Sequence, residues 1–162
     1  MDFTYFGEPS IKISKLCLGT MTWGSQNSEK EAHQQIDLAL DNGVNFLDTA
    51  EMYPTTPFNK IKPQGLTESM LGSWIKKNRQ RDKIVIATKV VGKGFSAIRN
   101  GAPISSETIR LAIDNSLKEL QTDYIDIYQL HWPNRGSYMF RKNWNYDPSK
   151  TKEDKETTLF HM

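Results

Sequence analysis

The sequence has few of the features that mark exported, membrane-embedded or disulfide-bonded proteins. Cys17 is the only cysteine, so no disulfide can form within the chain, and we expect a reducing compartment. No apolar run approaches the ~20 residues that span a bilayer, and the first residues lack the basic and apolar regions of a signal peptide. We therefore expect a soluble, cytoplasmic protein with no membrane partner.

Charge and common nucleotide-binding motifs are also in short supply. The formal net charge is only +2, which gives no electrostatic reason to expect a nucleic-acid partner. No G-x-G-x-x-G follows a predicted strand, which argues against the doubly wound dinucleotide fold, and Gly92-Lys93-Gly94 lacks the rest of a P-loop. The three histidines have no ligand spacing to one another, so we expect no metal site.

What the sequence does contain is an alternation of short apolar strands and amphipathic helices. Residues 3–6 and 11–14 predict a β-hairpin lid around the turn Gly7-Glu8-Pro9-Ser10. Buried strands are predicted at 16–20, 44–47, 84–88 and 124–130, with Cys17 expected to be buried in the first. Helices are predicted after Ser28, from Met70 and after Ser105. This alternation predicts an α/β fold with a parallel sheet.

Three polar residues end successive strands at nearly equal separations, namely Asp48, Lys89 and His131. Such regular β/α units favour a (β/α)₈ barrel of the TIM-barrel type, in which active sites lie at the carboxyl ends of the strands. A complete barrel needs roughly 250 residues. We therefore predict a single domain at 1–162 that is an incomplete barrel: a hairpin lid at 1–14, β/α units with four strands and three helices at 15–133, and a polar loop with the start of a fourth helix at 134–162. Its exposed sheet edges predict possible self-association.

The residues at these strand ends suit proton transfer. A carboxylate such as Asp48 at the end of a buried strand needs a positive partner, and Lys89 on the neighbouring strand can supply one. The same charge would stabilise a phenolate at Tyr53. A neutral His131 could donate a hydrogen bond to a carbonyl oxygen. No side chain can deliver hydride, so reduction would require a nicotinamide cofactor.

When each of these residues is taken alone, an ordinary structural role is the commoner explanation. A buried tyrosine and a helix-capping aspartate are common pairs, and a lysine or histidine at a strand end is usually a surface residue or a satisfied hydrogen-bonding group. The shared position of Asp48, Lys89 and His131 is what favours a site.

The sequence also resembles the aldo-keto reductase family over most of residues 11–133. The matching segments are 19–24 (GTMTWG), 43–53 (GVNFLDTAEMY), 65–72 (GLTESMLG), 87–89 (ATK) and 120–133. The resemblance implies a (β/α)₈ barrel that reduces aldehydes and ketones with NADPH. It implies a catalytic tetrad of Asp48, Tyr53, Lys89 and His131, with Tyr53 donating the proton to a small-molecule carbonyl substrate.

The resemblance also implies the surroundings of the tetrad. Thr20, Met21 and Asp48 would lie beside the nicotinamide ribose of the cofactor, and Trp23 and Trp132 would line the substrate pocket. Because the chain carries only the N-terminal half of the family's barrel, two alternatives stay open. One is a truncated fragment without catalytic activity, and the other is a binding module that keeps the same fold.

Overall fold

The computed structural model describes residues 1–8, 10–55 and 64–134. Six strands and three α-helices lie within these ranges. The strands are β1 (Phe3–Phe6), β2 (Ile11–Ser14), β3 (Cys17–Gly19), β4 (Phe46–Asp48), β5 (Val85–Val90) and β6 (Ile127–Leu130). The helices are α1 (Glu29–Asp41), α2 (Leu66–Asn78) and α3 (Ser106–Leu120). The polar loop and fourth helix that we predicted for 134–162 fall, apart from residue 134, outside the described residues.

Four strands form a parallel sheet in the order β3-β4-β5-β6. Its register places Gly19 beside Asp48, Asp48 beside Ala87, and Ala87 beside Ile127. The carboxyl ends of neighbouring strands therefore lie at one end of the sheet, which confirms the predicted parallel arrangement. β3 and β6 are the two edge strands of this sheet in the described part of the chain, and self-association through them stays a prediction.

The predicted hairpin is present, and it lies at the amino end of β4. β1 and β2 pair antiparallel, with Phe3 opposite Ser14 and Phe6 opposite Ile11. The Ser14 amide donates to the Asn45 side-chain oxygen at 2.8 Å, and the Asn45 amide donates to the Ser14 hydroxyl at 3.1 Å. Because Asn45 immediately precedes β4, the hairpin is attached at the end of the sheet opposite Asp48.

Two helices begin where their capping residues predicted. Ser28 and Glu31 form a reciprocal capping box at the start of α1, and Ser105 and Thr108 form one at the start of α3. In each, the N-cap hydroxyl and the side chain three residues later satisfy backbone N–H groups that have no partner within the helix. These local rules act without tertiary contacts, which explains why the sequence located both helix starts.

α2 begins four residues earlier than predicted, because part of its buried face is polar. Thr67 and Glu68 are both buried in the first turn. The Thr67 hydroxyl donates to the Trp23 carbonyl at 2.8 Å, and Glu68 accepts from the Thr88 hydroxyl at 2.6 Å. The prediction counted apolar residues only from Met70 and passed over these polar residues, although Leu66, four residues earlier, continues the apolar spacing.

The core lies between the helices and one face of the parallel sheet. Its fully buried aliphatic side chains come from α1, β4, α2, β5 and α3, and they are Ile36, Leu47, Leu71, Ile86 and Leu120. Each such side chain contributes about 2 kcal/mol when it is removed from water. None of the helices in the described ranges is long and apolar enough to cross a membrane.

β6 is shorter than predicted, because the Asp126 carboxylate, and not a backbone carbonyl, accepts a hydrogen bond from the neighbouring strand. The Ile86 amide donates to Asp126 Oδ2 at 2.8 Å, and Arg81 Nη2 lies 2.6 Å from the same oxygen. The Tyr124 carbonyl accepts from Arg81 at 3.1 Å. Regular strand pairing therefore starts at Ile127 rather than at Tyr124.

The expectation that Cys17 is buried was wrong. Cys17 is exposed on the face of the sheet that points away from the helices. That face is the inner face of a barrel, and the four described strands enclose only part of it. An apolar run therefore indicated a strand correctly but not which of its faces is covered.

Candidate active site

A lysine, a carboxylate and a phenol meet at the carboxyl ends of β4 and β5. Lys89 Nζ lies 2.6 Å from Asp48 Oδ2 and 3.5 Å from the Tyr53 hydroxyl oxygen. It also donates to the Thr49 carbonyl at 2.6 Å. Because Asp48 pairs with Ala87, two residues before Lys89, strand alternation turns both side chains to the same face. Lys89 is thus the positive partner that the sequence predicted for Asp48.

Tyr53 reaches this lysine from a turn that follows β4. The Tyr53 amide donates to the Ala50 carbonyl at 3.0 Å, and the Tyr53–Pro54 peptide is cis. Tyr53 is 7% exposed and packs in an apolar cluster with Ala50, Met52, Val91 and Trp132. Lys89 Nζ lies 4.9 Å from the ring centroid. The phenol is therefore held in apolar surroundings, and its hydroxyl group lies near the Lys89 ammonium.

His131 follows β6 and lies against the tyrosine. Its amide donates to the Val90 carbonyl at 2.9 Å, and its ring meets Tyr53 edge to face at a centroid distance of 5.7 Å. Burial, and secondarily the charge of Lys89, lowers the pKa of His131 to about 4, whereas Asp48 acts in the opposite direction. The imidazole is therefore neutral at pH 7. Its buried Nδ1 finds no hydrogen-bond partner among the described residues.

The structure thus brings together the four residues that the sequence selected. Asp48, Tyr53, Lys89 and His131 are called the acid–base cluster from here on. The three strand-end residues come from successive parallel strands, which is why a common position along the sequence repeat becomes a common position in space.

The three residues that the resemblance assigned to a cofactor differ in accessibility. Met21 is 50% exposed, and the Asp48 side chain is 32% exposed. Thr20 is fully buried, and its hydroxyl donates to the Asp48 carbonyl at 2.8 Å. Met21 and Asp48 therefore have surface to offer a ligand, whereas the Thr20 side chain holds the end of β4.

The two tryptophans assigned to the substrate pocket lie in different places. Trp132 is 8% exposed beside His131, with a ring centroid distance of 5.1 Å, in the same cluster as Tyr53. Trp23 is 1% exposed in the core between helices and sheet, and its indole nitrogen donates to Gln35 at 2.7 Å. The structure therefore brings Trp132 to the acid–base cluster and does not bring Trp23 there.

A groove of about 540 Å³ runs along the inner face of the sheet from the hairpin to Asp48. Its walls are mostly apolar, with Phe6, Ile13 and Ile127 among them, and its polar residues are Asp48 and Gln129. Gln129 Nε2 lies 3.5 Å from Asp48 Oδ1, the oxygen that Lys89 does not contact. Sequence reasoning missed Gln129, although an amide in an otherwise apolar strand was a signal.

Sequence reasoning also missed a buried ion pair that involves Glu51, two residues before Tyr53 in the sequence. Both nitrogens at the end of Arg99 bind the Glu51 carboxylate, at 2.6 and 2.7 Å. Glu51 additionally accepts the Val91 amide at 2.7 Å, and hydrogen bonding to Glu51 raises the pKa of Arg99 further. A glutamate in the apolar stretch 50–53 was the available signal, but its partner lies in an irregular loop.

The parallel sheet with helices on one face defines a barrel-type α/β protein, and comparisons with known proteins identify the family. Residues 15–148 match the family model described as the aldo/keto reductase family. The chain therefore belongs to the aldo/keto reductase family, as the sequence motifs indicated, and it represents the N-terminal part of the family's fold.

Individual relatives support this assignment. The chain is 45% identical over 145 residues to Protein tas of Escherichia coli strain K12 and 42% identical over 135 residues to the uncharacterized oxidoreductase YrpG of Bacillus subtilis. The alignments cover 88% and 81% of this chain but 41% and 40% of those proteins. The chain thus spans about two fifths of the length of these curated relatives.

Solved structures confirm the fold class. A protein assigned to the aldo-keto reductases in Pseudomonas aeruginosa shares 29% identity with this chain at a TM-score of 0.61. The match covers 80% of this chain and 46% of that one. The predicted (β/α)₈ barrel type is confirmed, and the described residues supply its parallel sheet and helices in incomplete form.

Proposed function

We propose that this chain carries the proton-transfer half of a carbonyl reductase that converts an aldehyde or ketone into an alcohol with NADPH. The observation that carries the proposal is the position of the Lys89 ammonium between the Asp48 carboxylate and the Tyr53 hydroxyl. Family membership supports it. A further relative, 36% identical over 135 residues, is named norsolorinic acid reductase B of Aspergillus parasiticus, and that name describes a reductase.

Tyr53 is the proton donor in this proposal. When a carbonyl carbon gains hydride, negative charge develops on its oxygen, and a phenol within hydrogen-bond reach can transfer its proton there. The Lys89 ammonium, 3.5 Å from the phenol oxygen, stabilises the charge that remains on Tyr53. Asp48 holds the ammonium in place through its 2.6 Å contact.

His131 orients the substrate. Its pKa of about 4 keeps the imidazole neutral at working pH, so one ring nitrogen carries a hydrogen and can donate to the carbonyl oxygen. A neutral donor beside Tyr53 fixes the oxygen without adding a second cation next to Lys89. The carbonyl oxygen would thus be bound between a phenol and an imidazole.

The inner face of the sheet offers space and polar side chains for a nicotinamide ring. A Cβ on Gly19 would meet nothing within 4 Å, so β3 leaves open space beside Asp48, and Gln129 adds an amide on the same face. Asp48, Gln129 and Met21 are the residues that would hold the ring and its ribose, while Thr20 would act by fixing the Asp48 backbone. When bound, the cofactor supplies hydride.

The test combines cofactor binding with turnover. NADPH binding is measured by fluorescence titration, and reduction of 4-nitrobenzaldehyde is followed by loss of NADPH absorbance. Tyr53→Phe should lower kcat by at least ~100-fold while leaving NADPH affinity largely unchanged, because only the transferred proton is lost. Tyr5→Phe, at an exposed tyrosine of the hairpin, is the matched control and should change neither quantity.

Turnover that survives Tyr53→Phe contradicts the proposed role of the phenol. If the chain neither binds NADPH nor turns over any carbonyl, the catalytically inactive fragment is the correct alternative. NADPH binding without turnover of a panel of aldehydes and ketones favours the binding module on the same fold.

A further inference from the structure

The loop between β5 and α3, residues 91–105, forms an apolar wall beside the acid–base cluster. Phe95 and Ile98 pack against the cluster that contains Tyr53 and Trp132. The Phe95 and Trp132 rings meet edge to face at a centroid distance of 6.3 Å, and the Lys93 carbonyl accepts the Trp132 indole N–H at 3.2 Å. This segment, called the β5–α3 loop below, therefore packs against the apolar cluster that contains Tyr53 and Trp132.

Glu51 fastens this loop at two points. Its carboxylate accepts the Val91 amide at the start of the loop and binds both terminal nitrogens of Arg99 in the middle. The two charged side chains are 7% and 15% exposed, so solvent screens their attraction little. Arg99 and Asn100 adopt left-handed backbone conformations at φ 46° and 53°. Such a conformation costs energy in residues other than glycine and persists where surrounding contacts hold the backbone in place.

The anchored loop is tied to the segment that carries Tyr53 and to the segment that carries His131. Glu51 lies two residues before Tyr53, and its own amide donates to the Lys89 carbonyl at 3.3 Å. At the far end of the loop, the Ile104 amide donates to the Asn134 side-chain oxygen at 2.6 Å, and the Asn134 amide group donates back to the Ile104 carbonyl at 2.8 Å. Asn134 lies three residues after His131. Movement of the loop would therefore displace the surroundings of both residues.

We propose that Glu51 and Arg99 are positioning residues, whose bidentate ion pair holds the β5–α3 loop against the Tyr53 turn and thereby sets the apolar wall of Phe95, Ile98 and Trp132. The pair touches none of the reacting groups and acts through the loop. That this wall meets a carbonyl substrate rests on the proposed function above, whereas the anchoring of the loop does not.

Arg99→Met tests whether the ion pair anchors the loop. The substitution removes the charged guanidinium group that binds Glu51 and keeps an unbranched apolar side chain. The chain offers a matched control in Arg81→Met. Arg81 forms an equally short pair with Asp126, at 2.6 Å and with 11% and 16% of the side chains exposed, near the amino ends of β5 and β6. Both variants lose a buried ion pair, but only one of these pairs belongs to the loop.

Amide hydrogen exchange gives the first readout. In Arg99→Met, the amides of Val91, Gly94 and Gly101 should exchange about tenfold faster relative to those of α1, because the loop opens locally. In Arg81→Met, exchange of the loop relative to α1 should be unchanged. The indole N–H resonance of Trp132, assigned by its loss in Trp132→Phe, should shift in the first variant and not in the second. Equal loop exchange in the two variants overturns the proposal.

Arg99→Lys keeps the measurement informative if Arg99→Met fails to fold. Lysine retains the charge but cannot bind both carboxylate oxygens through a planar fork, so we expect loop exchange between that of the wild type and that of Arg99→Met. Wild-type exchange rates in Arg99→Lys together with an unmoved Trp132 resonance would show that the bidentate geometry does not position the loop.

Steady-state kinetics give the second readout. Arg99→Lys should raise KM for 4-nitrobenzaldehyde about fivefold with a smaller change in kcat, since the wall binds substrate without taking part in proton transfer. An unchanged KM in a variant whose loop exchange is faster would overturn the assignment of the wall to substrate. Turnover that survives Tyr53→Phe, in contrast, refutes the proposed function, whereas the exchange rates still decide whether the ion pair anchors the loop.

Discussion

In the ion pair between Lys89 and Asp48, the lysine is largely buried, whereas the carboxylate is exposed to the groove on the inner face of the sheet. The Lys89 side chain is 12% exposed and the Asp48 side chain 32%, and their charged atoms lie 2.6 Å apart. Because Lys89 also binds the Thr49 carbonyl, its ammonium has fixed partners on the protein side. The more exposed partner is the carboxylate, which faces the inner groove together with Gln129. The buried contacts therefore hold the Lys89 ammonium in position, while the groove leaves space beside the Asp48 carboxylate.

Lys89→Met should lower the free energy of unfolding by about 1–3 kcal/mol, because it leaves the Asp48 carboxylate and the Thr49 carbonyl without their strong donor. Urea unfolding followed by circular dichroism measures the change. The double variant Asp48→Asn/Lys89→Met should be less destabilised than the sum of the two single variants. Lys15→Met is the control, since Lys15 and Asp2 are 61% and 83% exposed at 3.8 Å. Equal losses in Lys89→Met and Lys15→Met would contradict the structural importance of the pair.

His131 should stay neutral down to about pH 5, because burial lowers its pKa to about 4. The unfolded chain takes up a proton at His131 near pH 6.5, before the folded chain does, so this residue contributes stability that is lost as pH falls from about 6.5 to 4. NMR titration of the imidazole measures the pKa directly. His131→Gln should reduce the acid sensitivity of unfolding over the same interval. A titration midpoint above about 6 would show that the ring is solvated.

Glu68 should make the protein less stable as pH rises toward neutrality. Burial raises the pKa of Glu68 from 4.5 to about 7, opposed by hydrogen bonds from Thr88 and Ser116 and assisted by the negative charges of Glu51 and Glu119. The folded state retains this proton between pH 4.5 and 7 while the unfolded chain has lost it, so the stability it contributes disappears across that interval.

Glu68→Gln is therefore expected to be progressively more stable than the wild type as pH increases from 5 to 8, by up to about 3 kcal/mol. Chemical denaturation at several pH values measures the difference. Glu107→Gln, at an exposed carboxylate in the first turn of α3, should show no such trend. A constant difference between Glu68→Gln and the wild type would mean that Glu68 is ionised throughout.

Gly72 should not tolerate alanine, although alanine favours a helix by about 1 kcal/mol. A Cβ at this position would overlap the Glu119 carbonyl oxygen and approach the Leu120 backbone, because α2 and α3 pack closely there. We expect Gly72→Ala to cost about 2–4 kcal/mol in urea unfolding, since backbone cannot yield as a side chain can. Gly19→Ala meets no atom within 4 Å and should be tolerated. A stabilised Gly72→Ala variant would disprove the close helix contact.

Particular elements show where the sequence was sufficient for the fold. The capping boxes at Ser28 and Ser105 fixed the starts of α1 and α3 because their hydrogen bonds are local. The start of α2 and the start of β6 were misplaced because Glu68 and Asp126 bind groups that are distant in the sequence. A polar side chain satisfied by tertiary contacts leaves no periodic signal.

The candidate site likewise contains some residues that the sequence could group and others that it could not. Asp48, Lys89 and His131 could be grouped from the sequence because each ends a strand in a regular repeat. The Glu51–Arg99 pair could not, since Arg99 lies in an irregular loop whose path no local rule specifies. The burial of Trp23 could not be anticipated either, because it depends on how α1 packs over the sheet.

The sequence by itself determined the alternation of strands and helices, the parallel sheet and the residues at its carboxyl ends, because period, capping and spacing are properties of the chain alone. Only the tertiary structure decided that Lys89 lies 2.6 Å from Asp48, that His131 is neutral, and that Glu51 anchors the β5–α3 loop. Those facts depend on burial and on contacts between residues far apart in the chain, which become defined only when the helices pack against the sheet.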